Sequence, residues 1–378
     1  MFGLEGLAGD ELRRLDMENV RVEDRRVLFS GDENALAKAN ICLRTAERIH
    51  IVLAQFEAKS FEELFQGVKN LPWEQWIGKE DAFPVKGYSL KSQLFSVSDC
   101  QAIIKKAVVD RLKSKYGISW FTETGPVHQI QFSIMNDVAT LLIDTTGAGL
   151  HKRGYRLQSN FAPMKETLAA AICSLAKLKH YHTLYDPMCG SGTLPIEAAL
   201  IARNIAPGVF RKEFAFEKGT DFDQEMFDEI YNDDSAEREF EHHIYGYDID
   251  WKAVNIATNN VRAAGLSKDI TIERRDMADF VEMEGPALMV TNPPYGERIT
   301  TRGISQQLKN YADKYGLDKK VVYPHSFRHR YAKNFLEKYN DIALLADLMG
   351  HESIETTRIY LRRTASEQQA LVDKIVTW

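Results

Sequence analysis

Within the stretch TNPPYGERI, four consecutive positions (Asn292, Pro293, Pro294 and Tyr295) combine two acceptors, a rigid backbone and an aromatic face. Two prolines fix φ, so the Asn292 amide oxygen and the Pro293 carbonyl can converge on one point. Two acceptors at one point suit an exocyclic NH2 whose lone pair is aimed at a sulfonium methyl. Tyr295 offers a flat face to a base taken out of its stack. Catalysis of such a transfer is mostly positioning, because the leaving group is already activated. The bland alternative is an ordinary Pro-rich turn.

A methyl donor needs its own site, and three further strand ends supply candidates. DPMCGSGT, with Asp186, Gly190, Gly192 and Thr193, follows an apolar run and precedes a helical one. Glycines there let the backbone approach a ligand, and a helix start favours polar groups. GYDID places Asp248 and Asp250 where a carboxylate accepts both hydroxyls of a ribose. RRDMADF places Asp276 where it can face an adenine amino group. Each acid also suits a helix N-cap or a turn. Three acids in phase at successive strand ends favour a ligand site.

These residues need a doubly wound parallel sheet behind them, and residues 160–299 alternate strand and helix patterns as such a sheet requires. The charged stretch FEKGTDFDQEMFDEIYNDDSAEREFEHH reads as a solvated insertion or long helix. Upstream, residues 83–157 read strand, helix, strand, strand, a small α+β module. SFEELFQGVKNLPWEQWI is a helix capped by Ser60, and VRVEDRRVLFSG is a strand candidate after a first helix. Residues 301–378 are helical throughout by pattern, so the sheet is expected to stop after its fourth strand.

The chain has 378 residues, 44% hydrophobic and 27% charged, enough for two or three domains. A net charge of −6 excludes the whole chain as an electrostatic nucleic-acid binder, though not a local basic face. Four scattered cysteines argue for reduced thiols, against a disulfide framework and against structural zinc, so no metal is expected. No apolar run reaches the ~18 residues of a membrane span and no signal peptide opens the chain, which predicts a cytoplasmic protein.

A second chemistry lies at the C-terminal end. HSFRH supplies His325 and Arg328, and MGHESIETTRIY supplies His351 and Tyr360. A tyrosine hydroxyl beside Arg and His donors suits attack on a phosphodiester, leaving a covalent phosphotyrosine.

Two resemblances follow from these motifs. Residues 1 to about 299, through GLEGLAGDEL, GAGLHKRGYR, APMKETLAAA, YDPMCGSGT, YGYDID and TNPPYGERI, resemble the THUMP-domain, class I S-adenosylmethionine-dependent RNA methyltransferases. The bacterial type that makes N2-methylguanosine in 23S rRNA is the nearest in pattern. The resemblance implies an α/β chain with a ferredoxin-like piece at 1–54, an RNA-gripping THUMP domain at 55–157 and a Rossmann-like methyltransferase sheet at 158–299. It implies S-adenosyl-L-methionine as cofactor and RNA, rRNA before tRNA, as partner. Lys86, Lys91, His151, Lys152, Arg153, Tyr155 and Arg156 are the candidates for phosphate and stacking contacts.

Residues 300–378 resemble the all-α C-terminal end of tyrosine recombinases. His325, Arg328, His351 and Tyr360, the nucleophile, match four of that family's catalytic positions, which implies DNA as a possible partner. That family's first arginine and its hairpin lysine are missing. The methyltransferase resemblance also departs at both ends, lacking an edge strand before the first helix and three strands after NPPY. A join inside two catalytic domains implies a gene interrupted by a mobile element, a rearranged gene or an assembly error. It also predicts an incomplete methyltransferase sheet with impaired turnover. DNA strand transfer and a non-catalytic RNA-binding module are the alternative functions.

Overall fold

A four-stranded sheet of order β3 (His50–Glu57), β6 (Val138–Asp144), β5 (Ile130–Met135), β4 (Val85–Leu90) and a four-stranded parallel sheet of order β10 (Ala287–Met289), β7 (Thr183–Asp186), β8 (Ile244–Asp248), β9 (Ile270–Arg274) organise the chain. The structure is a computed structural model that describes residues 3–159, 163–178, 183–219, 222–279 and 286–293. The described residues up to Pro293 form one compact unit.

The chain opens with α1 (Glu5–Arg14), β1 (Glu18–Glu23), β2 (Arg26–Ser30) and α2 (Glu33–Cys42). The stretch read as one strand is a hairpin, because Arg25 turns with φ 66° and lets Glu23 pair with Arg26. Asp32 caps α2 by accepting from Ala35 N at 2.9 Å.

The first large sheet begins with β3 (His50–Glu57), which pairs with β6 from His50 opposite Asp144 to Glu57 opposite Val138. The expected boundary at 54/55 therefore falls inside a paired strand. Next come α3 (Phe61–Lys69), β4 (Val85–Leu90), α4 (Val97–Tyr116), β5 (Ile130–Met135) and β6 (Val138–Asp144). Ser60 and Glu63 form the capping box at the start of α3. Alternation along β5 buries Ile130, Phe132 and Ile134 against α4, whose Ile104, Ala107, Val108 and Leu112 recur at helical spacing. β4 is an edge strand parallel to β5.

The second half contains α5 (Glu166–Leu175), β7 (Thr183–Asp186), α6 (Thr193–Ala202), α7 (Gln224–Tyr231), β8 (Ile244–Asp248), α8 (Trp251–Ala263), β9 (Ile270–Arg274) and β10 (Ala287–Met289). All pairings among β7–β10 are parallel. α6 is apolar nearly all round and almost wholly buried, as a helix enclosed on every side must be. The insertion read as solvated is anchored instead. Its Phe227 is buried with Phe214 just before the stretch and with Leu12, Ile41 and Ile49 of the N-terminal piece, and Phe216, Phe222, Ile230 and Tyr231 pack around them. Its acidic residues hid an aromatic stripe whose burial outweighs the solvation of its charges.

Between the two halves, residues 150–158 are held by buried polar contacts. The Arg153 guanidinium, 1% exposed, lies 3.3 Å from Glu197 of α6, which is fully buried. Arg153 also donates to Leu150 O at 2.9 Å and Arg44 O at 2.5 Å. Tyr155 donates its hydroxyl to Glu197 at 2.9 Å. Gly154 sits at φ +115°, and a Cβ there would lie 2.0 Å from Phe210 O.

Removing one member of such a pair strands the other charge in the interior, at a cost of about 3–5 kcal/mol. Glu197→Ala should therefore lower the urea midpoint by most of the chain's margin, and Glu197→Gln by clearly less. A wild-type midpoint in Glu197→Gln, which removes the charge and keeps the shape, would show that the charge pairing contributes nothing.

Candidate functional site

The parallel strands all end on one side of their sheet. Asp186 closes β7, Asp248 closes β8, and Thr291, Asn292 and Pro293 follow β10. Ligands of open parallel sheets bind outside these carboxyl ends.

The turn after β7 is bonded into its neighbours. Cys189 N donates to Tyr247 O at 2.8 Å, and Gly192 N donates to Cys189 O at 2.8 Å. Gly190 N donates to Asp248 Oδ2 at 3.0 Å, so the turn and the acid of the next strand form one unit. Gly192 has φ +80°, and a Cβ there would meet Ala257 of α8 at 3.2 Å. Any larger residue would push helix and turn apart.

Asp248 is half-buried and also accepts from Asp250 N at 2.9 Å. Two bonds leave lone pairs of this carboxylate for a ligand. Asp250 is exposed and caps α8 by accepting from Lys252 N at 2.9 Å. Asp276 is exposed and accepts from Ala278 N at 2.9 Å in the turn Met277–Asp279. The cap and turn roles open to these acids are thus filled by Asp250 and Asp276, and Asp248 is the acid built into the glycine turn.

Asp186 is buried at the centre of the sheet, and burial pushes its pKa up to about 7. The Thr291 hydroxyl and the Met188 N–H pull it down, and the charge of Asp248 raises it further. Met188 N donates to Asp186 Oδ1 at 3.2 Å. The Thr291 hydroxyl is buried beside it, short of hydrogen-bond geometry to any partner among the described residues. Asn292 is half-buried and Pro293 exposed at this same end. Tyr295 lies outside the described residues.

Thr193 opens α6, but its hydroxyl accepts from Arg156 at 2.8 Å and sits 3.2 Å from Ser191 Oγ. It is therefore an internal partner. Three residues without a place in the sequence-based site join the strand ends. Ile249 is 61% exposed, Trp251 57% and Met277 36%. Large apolar side chains directly beside the acids of YDIDW and RRDM were the available indication.

The candidate RNA contacts divide. Lys86 on β4, Lys91 after it and Lys152 are exposed. Arg153 and Tyr155, expected at the RNA surface, are buried on Glu197. Arg156 is held by Met164 O at 2.7 Å, Thr193 and Glu166. The His151 ring stands 2.6 Å from Glu47, and burial lowers its pKa against that carboxylate's pull. Donors at a junction between chain segments are consumed by nearby carbonyls and carboxylates, because leaving such groups unpaired costs more than turning them inward.

His325, Arg328, His351 and Tyr360 lie outside the described residues. Among the described residues, no group of three or more His, Cys, Asp or Glu side chains is placed to hold a metal ion. No helix among them is long and apolar enough to cross a membrane.

A Rossmann-like sheet with a glycine turn bonded to a strand-end acid, joined to a second α+β sheet, defines a two-part methyltransferase. Residues 153–314 match the model described as RMKL-like, methyltransferase domain, residues 1–50 the RlmL ferredoxin-like domain and residues 58–144 the THUMP domain. The first of these runs past the boundary expected at 299, and the matched models carry no integrase component. YpsC of Bacillus subtilis, named as an RNA methyltransferase, is 40% identical over 81% of this chain and 80% of its own. The crystal structure of SMU.472, described as a methyltransferase complexed with SAH, superposes with a TM-score of 0.74 at 37% identity, covering 84% of this chain and 90% of that one. The ribosomal RNA large subunit methyltransferase K/L of Aliivibrio fischeri is 31% identical over 79% of this chain, which spans 44% of that longer protein. The chain belongs to the RMKL-like, THUMP-containing RNA methyltransferase family.

Asp186 gives this site a pH signature. Its folded pKa of about 7 lies above the ordinary aspartate value of 3.8, so its ionisation disfavours the folded state. Stability is complete below about pH 4 in this respect and falls as pH climbs to about 7, by a few kcal/mol on the scale of about 1.4 per unit. Asp186→Asn should remove that slope. Melting curves from pH 4 to 8 should show the variant's advantage growing with pH, and a constant offset would refute the buried-acid assignment.

Proposed function

We propose that this chain transfers a methyl group from S-adenosylmethionine to the exocyclic N2 of guanine in RNA, ribosomal before transfer RNA, in the cytoplasm. The observation that carries the reading is the Gly190–Asp248 bond at 3.0 Å, which fuses glycine turn and acid beside the strand end bearing Asn292. The donor set fits the cofactor. Asp248 has acceptors for ribose hydroxyls, and Asp186 has a buried carboxyl that a ligand's ammonium would hold ionised. Asp250 and Asp276 keep free lone pairs at the rim, and Ile249, Trp251 and Met277 offer apolar cover for a purine. When bound, the cofactor supplies a methyl on a sulfonium, which needs no acid to leave.

The chain's own residues then have a positioning task. Asn292 Oδ1 and the Pro293 carbonyl accept from the guanine amine and orient its lone pair, and Tyr295 supplies a stacking face. Lys86, Lys91 and Lys152 hold phosphates, which sets register without reading sequence. The name carried by the Aliivibrio protein supports ribosomal RNA as substrate class.

Two measurements test this reading. In the first, the full chain is incubated with methyl-labelled cofactor and unmodified large-subunit rRNA or tRNA, and the nucleosides are identified by mass spectrometry. N2-methylguanosine in rRNA is expected, and Asn292→Ala should lower its rate by about 10²-fold, the cost of a misplaced reacting group. Label on adenine, or label confined to tRNA, would overturn the substrate assignment. In the second, calorimetric titration with SAH should show binding that Asp248→Ala weakens about tenfold, the loss of one charged hydrogen bond. No binding to folded wild-type protein would overturn the methyltransferase reading altogether.

A further inference from the structure

We infer that Asn260 and Arg156 are positioning residues that clamp the segment leaving the THUMP half onto the glycine turn, and so set cofactor affinity. The inference rests on the methyltransferase reading above and goes beyond it, because neither residue belongs to the strand-end site.

Asn260 sits on α8, fully buried, and its amide is satisfied on all sides by two segments outside its own helix. Its Nδ2 donates to Ser191 O at 3.0 Å and to Gln158 O at 3.1 Å. Its Oδ1 accepts from Leu157 N at 3.1 Å and from Gln158 N at 3.4 Å. A single side chain therefore fixes the separation between residues 157–158 and the middle of the turn. Arg156, one residue earlier, reaches Thr193 at the start of α6 with the same effect.

The consequence lies in the peptide planes. The Ser191–Gly192 plane is pinned at its carbonyl by Asn260 and at its N–H by Cys189 O. The Cys189–Gly190 plane is pinned at its N–H by Asp248 and at its carbonyl by Gly192 N. Pinning the planes on either side orients the Gly190–Ser191 peptide between them. Glycines at φ 55° and 80° would otherwise leave that peptide free to rotate. Asn260 thus converts a mobile glycine turn into a fixed one, and the turn is preorganised for its ligand.

Asn260→Asp is the informative variant, since it keeps the shape and the acceptors but removes both donations. Measured on the full chain, it should raise the SAH Kd about tenfold, the loss expected when hydrogen bonds that preorganise a site are removed. RNA affinity should stay within about twofold, because the phosphate contacts that set it lie elsewhere. In turnover, the KM for S-adenosylmethionine should rise while kcat at saturation is kept, because the clamp serves ground and transition states alike. Arg156→Lys, which keeps the charge but loses the fork, should show a weaker form of the same split. Leu112→Ala in the core of the first sheet, chosen to lose comparable stability, is the control and should leave SAH affinity unchanged. An unchanged SAH Kd in Asn260→Asp, or an equal loss in Leu112→Ala, would reduce Asn260 to a purely structural residue. Failure of wild-type protein to bind SAH would instead strike the methyltransferase reading on which the clamp depends.

Discussion

A buried carboxylate on α6, Glu197, receives both the Arg153 guanidinium and the Tyr155 hydroxyl, and the two-part architecture depends on that meeting. Burying a guanidinium and a carboxylate is expensive, and their attraction alone offsets the cost only when the remaining donors are also satisfied. Here they are, since Arg153 spends further N–H groups on Leu43 O, Leu150 O and Arg44 O. Those carbonyls belong to the N-terminal piece and to the connecting segment itself. One ion pair therefore ties three regions of the chain to the helix that begins at the glycine turn. A flexible linker would have left the relative position of the halves to diffusion. A bonded one fixes it, at the cost of turning basic residues away from solvent.

The same economy governs the strand ends. Asp248 and Asp250 each satisfy backbone N–H groups that a turn or helix start would otherwise leave bare. A carboxylate that accepts one or two backbone bonds is held in place and still has lone pairs to offer. Cap and ligand acceptor are compatible roles for one side chain. Asp186 differs because burial at the centre of the sheet, with no cation beside it among the described residues, raises its pKa to about 7. Its environment suits a positively charged ligand group better than it suits the bare protein.

The candidate site was legible in the sequence because its residues fall at fixed offsets from strand ends. Glycine at 190 and 192, an acid closing GYD and an Asn-Pro pair after ALMV are local patterns, and strand and turn propensity position them. The candidate RNA contacts were less legible. Lys86, Lys91 and Lys152 are exposed, whereas Arg153, Tyr155 and Arg156, from the same kind of motif, are spent inside. Charge and aromaticity in a sequence do not tell which side of the surface a residue takes when neighbouring carbonyls compete for its donors.

By itself the sequence determined the parallel strand–helix alternation, the glycine turn, the acids at three of the strand ends and the capping box at Ser60, because each is decided within a few residues. Tertiary structure alone decided what depends on segments far apart in the chain. Asn260 reaches Ser191 across 69 positions and Gln158 across 102. Phe227 leaves an acidic insertion to join a core with Leu12 and Ile41. Strand β3 pairs with β6 across the boundary that the motifs suggested. Short-range periodicity carries no information about such partners, since burial and hydrogen bonding are settled only when distant surfaces compete for the same groups.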